Sequence, residues 1–207
     1  DMLKFLVVDN TFGEDKDLKN YFKSNYDISF LENNGVGLQR SVSHSNALDL
    51  GLNNLETDFC LIIDPDVHIF QSGWDTFCIS AIKKEKKAVV GAPYPKWKLG
   101  KVHDFPSVIF MFFNTKQIQN FNKTFYPFPK FFNRISNNIL RKITRLGTMA
   151  TKKRLDHNKK LREIAQKLEK ILGVTSPDTG NKIIDCFRKK RYAAINFESK
   201  YSNEFES

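Results

Sequence analysis

Short, nearly unbroken apolar runs alternate with amphipathic stretches through the first half of the chain. Leu3–Val8 (LKFLVV) is one such run, and its continuity predicts a buried strand of parallel-sheet type. Asp9-Asn10 closes it. Asp15–Ser24 carries Leu18 and Tyr21/Phe22 at helical spacing, and Ile28–Leu31 predicts a second strand. Asn33-Asn34-Gly35-Val36-Gly37 is turn chemistry. Leu38, Val42, Leu48, Leu52 and Leu55 then mark an amphipathic helix over Leu38–Leu55. Phe59–Ile63 (FCLII) predicts a strand that stops at Asp64-Pro65-Asp66. Ser72 is placed to cap a helix over Gly73–Lys84, and strands follow over Lys87–Gly91 and Val108–Phe113.

The last third changes character. Residues 121–134 (FNKTFYPFPKFFNR) are aromatic and broken by proline, which predicts a loop. Asn133–Leu146 predicts a helix with an apolar stripe of Ile135, Ile139, Ile143 and Leu146, and with Arg134, Arg141, Lys142 and Arg145 as its charged members. A second helical stretch spans Thr151–Leu172. Ser176-Pro177 opens a third, with serine as cap and proline at the first position. Tyr192–Phe197 predicts a final strand. The alternation of strand and helix indicates an α/β fold, a mostly parallel sheet flanked by helices, followed by a basic helical region. Residues 1–120 form the expected α/β region. Residues 121–207 form the expected helical region, within the same domain or as a subdomain.

Composition sharpens this picture in two places. At 207 residues and 41% apolar content the chain can bury a core, which excludes global disorder. The net charge of +10 is local, because residues 121–173 hold 14 Lys/Arg against 3 Asp/Glu. A basic region of that kind seeks phosphate on a lipid, a nucleic acid or a phosphorylated substrate, or else forms a solvated helical face. Cys60, Cys78 and Cys186 form no CxxC pair, and the odd count points to a reducing compartment. No apolar stretch has the length of a membrane span, and no cleavable leader is visible at the start. The expected location is the cytoplasm, extended to the inner face of a membrane if the basic region makes peripheral contact there.

In open α/β sheets, ligands gather at the carboxyl ends of strands. Asp9, Asp64 and Asp66 all sit at such ends. Two carboxylates two residues apart can share a hard divalent cation such as Mg²⁺ or Mn²⁺, which suits a diphosphate leaving group. An isolated DxD is equally a solvated turn. His103 and His157 are candidate third ligands, although a lone histidine is usually an ordinary surface residue. Tyr94 and Trp97, in GAPYPKWKLG, offer rings that could stack on a sugar or pack within the loop.

Three blocks, Leu3–Thr11 (LKFLVVDNT), Glu32–Leu52 (ENNGVGLQRSVSHSNALDLGL) and Phe59–Val67 (FCLIIDPDV), resemble in order and spacing the nucleotide-binding half of family 2 glycosyltransferases. The resemblance covers residues 1–92 and implies a GT-A fold. It implies transfer of a sugar, with inversion, from a UDP-, GDP- or dTDP-sugar to a glycan or lipid-linked hydroxyl acceptor, with Mn²⁺ or Mg²⁺ as cofactor. It implies that Asp9, with Asn10, contacts the nucleotide base, that Asp64 lies near the ribose and the metal, and that Asp66 ligates the metal. Arg40 falls where a basic residue often approaches the nucleotide, and reads equally as a solvated helix residue. The family's catalytic base follows the DxD at a distance, where Asp178 and Asp104 are the candidates. Asp178-Thr179-Gly180 resembles a block in the acceptor half of related enzymes. A further apolar strand should precede Leu3 and none is visible, so the chain reads as a fragment or as a sheet trimmed at that edge. The basic helix, with the Phe-rich loop before it, resembles an interfacial element, which extends membrane contact across 121–172; its alternative is a helix packed on the sheet through its Ile stripe. Two other functions stay open: a nucleotide-sugar-binding module without catalysis and, ranked last, a nucleic-acid-binding protein.

Overall fold

The computed structural model describes residues 3–11, 16–25, 28–34, 40–128, 131–147 and 149–198, without the side chains of residues 18, 23, 25, 40 and 131–134. Strand β1 (Phe5–Asp9), helix α1 (Lys16–Asn25) and strand β2 (Ile28–Glu32) form a βαβ unit, with Phe5 opposite Ile28 and Asp9 opposite Glu32 in a parallel ladder. Parallel strands need such a crossover, and α1 supplies it. Helix α2 (Arg40–Asn53) lies across β1: a Cβ on Gly51 would sit 3.5 Å from Val8 Cγ2. Leu48, Leu52 and the following Leu55 pack instead into the main core. One helix is therefore common to the two-stranded unit and the rest of the molecule.

Strands β3 (Phe59–Ile63), β4 (Ala88–Ala92), β5 (Phe110–Asn114) and β6 (Ala193–Asn196) form a second sheet in the order β3-β5-β4-β6. β5 is antiparallel to both of its neighbours, while β4 and β6 are parallel. Three of the four strands thus run one way and β5 runs against them. This corrects the expectation of a mostly parallel ladder. Residues 93–109, between β4 and β5, contain Pro93, Pro95 and Pro106 and form no helix, so the chain returns as an antiparallel neighbour. Gly91 is required in that pairing, because a Cβ there would lie 2.0 Å from the Phe110 carbonyl oxygen.

β4 and β5 are buried on both faces, and their residues alternate between two layers. Val89, Met111 and Phe113 enter the main core, with Ile118, Ile183, Ile184 and Phe187. Ala88, Val90 and Phe112 face Cys78 and Ile82 of helix α3 (Trp74–Glu85). Helices α4 (Thr115–Gln119) and α8 (Asn181–Lys189) cover the first layer. Helices α5 (Phe131–Thr144), α6 (Lys152–His157) and α7 (Lys159–Leu172) form the basic region, whose own core cluster is small: Leu99, Leu155 and Ala165. No described helix is long and apolar enough to cross a membrane.

Several boundaries differ from expectation for physical reasons. Ser72 does not cap α3; Gly73 holds the cap position at φ 73, a left-handed conformation that favours glycine. Thr151–Leu172 is two helices rather than one, because Asn158 leaves helical geometry and its side chain accepts the Leu161 N–H at 3.0 Å, capping α7. The helix expected from Ser176 begins at Asn181, after Gly180 at φ 81, so Asp178 and Thr179 stay in the turn that precedes it. α5 begins at Phe131, two residues early. The loop before it turns inward: Phe121 and Phe125 are buried, and Phe121 meets Phe187 edge-on at 4.9 Å. Phe121 and Phe125 belong to the core, while Tyr126 in the same loop is exposed. The turn Asn33–Gly37 lies outside the described residues from 35 onward.

Candidate functional site

β3 ends in a tight turn. The Asp64 N–H donates to the Ile109 carbonyl at 2.9 Å, and the Asp64 carbonyl accepts the Val67 N–H at 3.0 Å. This turn leaves Pro65 and Asp66 exposed and sets Asp64 into a cleft of about 340 Å³. Ser41 and His44 reach the cleft from α2, Tyr94 and Lys98 from the connection between β4 and β5, and Asp178 and Thr179 from the turn before α8. Residues from four distant parts of the chain therefore meet there.

Asp178 is held from three directions. Its Oδ2 accepts Lys101 Nζ at 2.6 Å and the Tyr94 hydroxyl at 3.1 Å, and its Oδ1 accepts the Thr179 N–H at 2.9 Å. The Thr179 hydroxyl donates to the Ser41 carbonyl at 3.3 Å, which ties this turn to the amino end of α2. Burial alone would raise the Asp178 carboxyl, but Lys101 and these hydrogen bonds outweigh it and hold the pKa below the ordinary value. Burial likewise raises the Tyr94 phenol, with the Asp178 charge adding to it, so Tyr94 remains a donor.

Asp64 moves the other way. Burial raises its pKa, the charges of Asp66 and Asp178 add to the rise, and His44 and Lys98 only partly offset it. His44 Nε2 lies 3.8 Å from Asp64 Oδ1. Two carboxylates in one cleft with opposite shifts are a common signature of divided chemical roles. The rise at Asp64 is owed first to its burial. Among the described residues no group of three or more His, Cys, Asp or Glu side chains could hold a metal ion. Of the DxD pair, Asp64 lines the cleft, while Asp66 is exposed and is not among the lining residues.

Asp9 is buried, and its Oδ1 accepts the Thr11 N–H at 2.7 Å while its carbonyl accepts the Asn33 N–H at 2.9 Å. Asn10 Oδ1 accepts Asn33 Nδ2 at 2.7 Å, and the same amide reaches the Ser43 carbonyl at 3.2 Å. Asp9 and Asn10 therefore connect, through Asn33, to the turn of α2 that carries His44. Arg40 opens α2, and its side chain lies outside the described residues.

The other candidates are elsewhere. His103 directs Nδ1 to the Tyr94 carbonyl and Nε2 to Glu169 Oε1, each at 3.0 Å. Both ring nitrogens are engaged, so His103 braces the 93–109 connection against α7 and is not poised beside Asp64. Glu169 Oε1 also accepts the Gly100 N–H. Burial opposes the His103 charge, but Glu169 and the Tyr94 carbonyl outweigh it and raise the pKa. His157 is exposed on α6 and turns its Nδ1 to the Lys153 carbonyl at 2.7 Å. Asp104 is exposed, pairs with Arg188, and is not among the residues lining the cleft. Trp97 is half-buried, with Lys98 and Lys152 over its ring at 5.5 and 5.1 Å. Tyr94 lines the cleft, but its hydroxyl serves Asp178.

His44, Lys98 and Lys101 escape a reading of the sequence. The alternation of lysine with aromatic and glycine in KWKLGK was the available signal for the last two. Comparison of the chain with protein-family models, with curated proteins and with solved structures found no match.

Proposed function

We propose that the chain is a glycosyltransferase that moves a sugar from a nucleotide-sugar to a hydroxyl acceptor with inversion. The observation that carries the reading is the convergence of Asp64, at the end of β3, and Asp178, more than a hundred residues later, on one cleft. The motif Asp64-Pro65-Asp66 and the parallel β1–β2 unit ending in Asp9 add to it. The likeness to family 2 glycosyltransferases and to a GT-A fold remains part of this proposal.

In this mechanism Asp178 accepts the proton of the acceptor hydroxyl as that oxygen attacks the anomeric carbon. The bond from that carbon to the phosphate oxygen breaks, and the nucleoside diphosphate leaves with the electron pair. Lys101 and Tyr94 keep Asp178 ionised and aimed. Lys98 faces the cleft as a cation for the diphosphate, and Asp9 with Asn10 receives the base. Asp64 and Asp66 would hold Mg²⁺ or Mn²⁺, which neutralises charge on the departing diphosphate when bound. The acceptor would be a glycan or lipid-linked hydroxyl.

A second reading, a nucleotide-sugar-binding module without transfer, draws on the 2.6 Å ion pair that already engages Asp178. Thermal shift of the full chain with UDP-, GDP- and dTDP-sugars, with and without Mn²⁺, tests binding; release of nucleoside diphosphate tests turnover. Cation-dependent stabilisation by one donor together with its turnover supports the transferase. Stabilisation without turnover selects the binding module, and no response to any donor overturns both.

A further inference from the structure

α5 is turned the unusual way round. Ile135, Ile139 and Ile143 fall four residues apart on one line of the helix. They are 49%, 57% and 45% exposed, so the stripe that normally faces a core faces outward. The opposite side of α5 carries the packing: Thr144 is buried, its hydroxyl reaches the Leu140 carbonyl at 2.9 Å and Thr175 Oγ1 at 3.3 Å, and the helix contacts α7. α7 repeats the arrangement. Ile164 and Ile171, two turns apart, are exposed beside Lys160 and Lys167. Met149, between α5 and α6, is exposed as well.

The charge around these stripes is mostly positive, with Asp156 and Glu163 the exposed acidic exceptions on α6 and α7. No Asp or Glu occurs between Asp104 and Asp156, a stretch that holds ten Lys/Arg. Among the described residues no ion pair joins a Lys or Arg of α5, α6 or α7 to a carboxylate. Burial and the neighbouring Arg141 charge both depress the Arg145 pKa, the mark of cations crowded without counter-charge.

We infer that the outward faces of α5 and α7 dock on an anionic lipid bilayer, the isoleucines entering the acyl boundary and the flanking Lys/Arg meeting lipid phosphates. The two parts of the pattern together select this occupant. A bilayer surface is the partner that offers negative charge and apolar depth side by side. A nucleic acid would satisfy the lysines and leave the isoleucines against phosphate. A second copy of the chain would cover the isoleucines and bring two basic faces together. This inference does not depend on the transferase reading.

Co-sedimentation of the full chain with phosphatidylcholine vesicles, with and without phosphatidylglycerol, tests it. The expected result is binding to the anionic vesicles, little to the neutral ones, and weakening by added salt. Ile139→Glu combined with Ile143→Glu should cut binding at least about a hundredfold, since two isoleucines are withdrawn from the acyl boundary. Arg141→Gln with Lys142→Gln should cut it roughly thirtyfold, at about 1 kcal/mol per charge. Both variants should melt with the parent, because the altered side chains are exposed. Failure of the parent to bind anionic vesicles overturns the inference. Binding that survives the isoleucine changes overturns it too, reducing the face to a simple polyanion site. A concentration-dependent dimer that Ile139→Glu dissolves would assign the face to a second copy instead.

Discussion

The four-stranded sheet and the α5–α7 layer spend their apolar residues in opposite ways. β4 and β5 bury nearly every side chain they have, in two layers of Phe, Val, Met and Ala under α3 on one side and α8 on the other. Among the described residues the helical layer closes over a small buried cluster, Leu99, Leu155 and Ala165, and turns its isoleucines to the outside. Burial drives folding roughly in proportion to the apolar area removed from water. The sheet therefore carries the stability, and the helical layer is attached to it with its best apolar surface still unspent. The cleft lies with the sheet side, on residues whose positions the core sets.

The largest effect should be on chemistry. Asp178→Asn keeps the shape of the side chain and removes the base, so turnover should fall about 10²–10⁴-fold, measured at a temperature where the variant, short of its ion pair with Lys101, is still fully folded. Turnover near the parent level would remove Asp178 from the mechanism. Next comes the core. Phe187→Ala empties a buried position in contact with Phe105, Phe121 and Tyr192, and should cost about 3–5 kcal/mol in urea unfolding. Ile139→Ala, an apolar change of the same direction in the other region, should stay within about 0.5 kcal/mol. Comparable losses at the two positions would break the contrast between sheet and helical layer.

Smaller effects should come from pH, through the contacts that join the two regions and shape the cleft. His103 and Glu169 link the 93–109 connection to α7. The His103 pKa is raised in the folded chain, so its stabilisation is complete below the unfolded value of about 6.5 and fades as pH rises through the folded pKa. His103→Gln should flatten that alkaline decline in thermal melts. Asp178 has a lowered folded pKa, so its contribution is present above about pH 4 and is lost as pH falls through the folded value. Asp178→Asn should remove that acid-side loss. A parent protein with flat stability across both windows would show that neither the His103–Glu169 link to α7 nor the Asp178–Lys101 pair at the cleft stabilises the fold.

How much of this was legible beforehand depends on the range of the interaction. β3 lies where its FCLII run predicts, and β4 within one residue of the expected Lys87–Gly91, because an unbroken apolar run announces a buried strand locally. The direction of β5 was hidden. It follows from a proline-bearing connection with no helix, and only the folded ladder reveals which way the strand returns. The break at Asn158 has no glycine or proline to announce it, only an asparagine that caps better than it propagates. The isoleucine stripe of α5 was plain in the periodicity, but periodicity does not tell which face a neighbour covers. At the cleft, Asp64 stood out by its motif. His44, Lys98 and Lys101 did not, because single polar residues acquire meaning only when the topology brings them together.

The place of β6 has a consequence for how the chain reaches this structure. Among the described residues β6 joins the sheet through β4, with Ala88 opposite Ala193, so the ladder must close across β5 and all of α4 to α8. Contacts so distant in sequence are slow to form, because the entropy of the intervening chain is lost before the strand is rewarded. Until then the outer edge of β4 presents unpaired amide and carbonyl groups beside a valine-rich face. During synthesis on the ribosome that edge emerges long before its partner does. The nascent chain is thus most open to wrong pairing in the interval when α5, α6 and α7 are being made, and the positive charge of those helices would keep neighbouring chains apart.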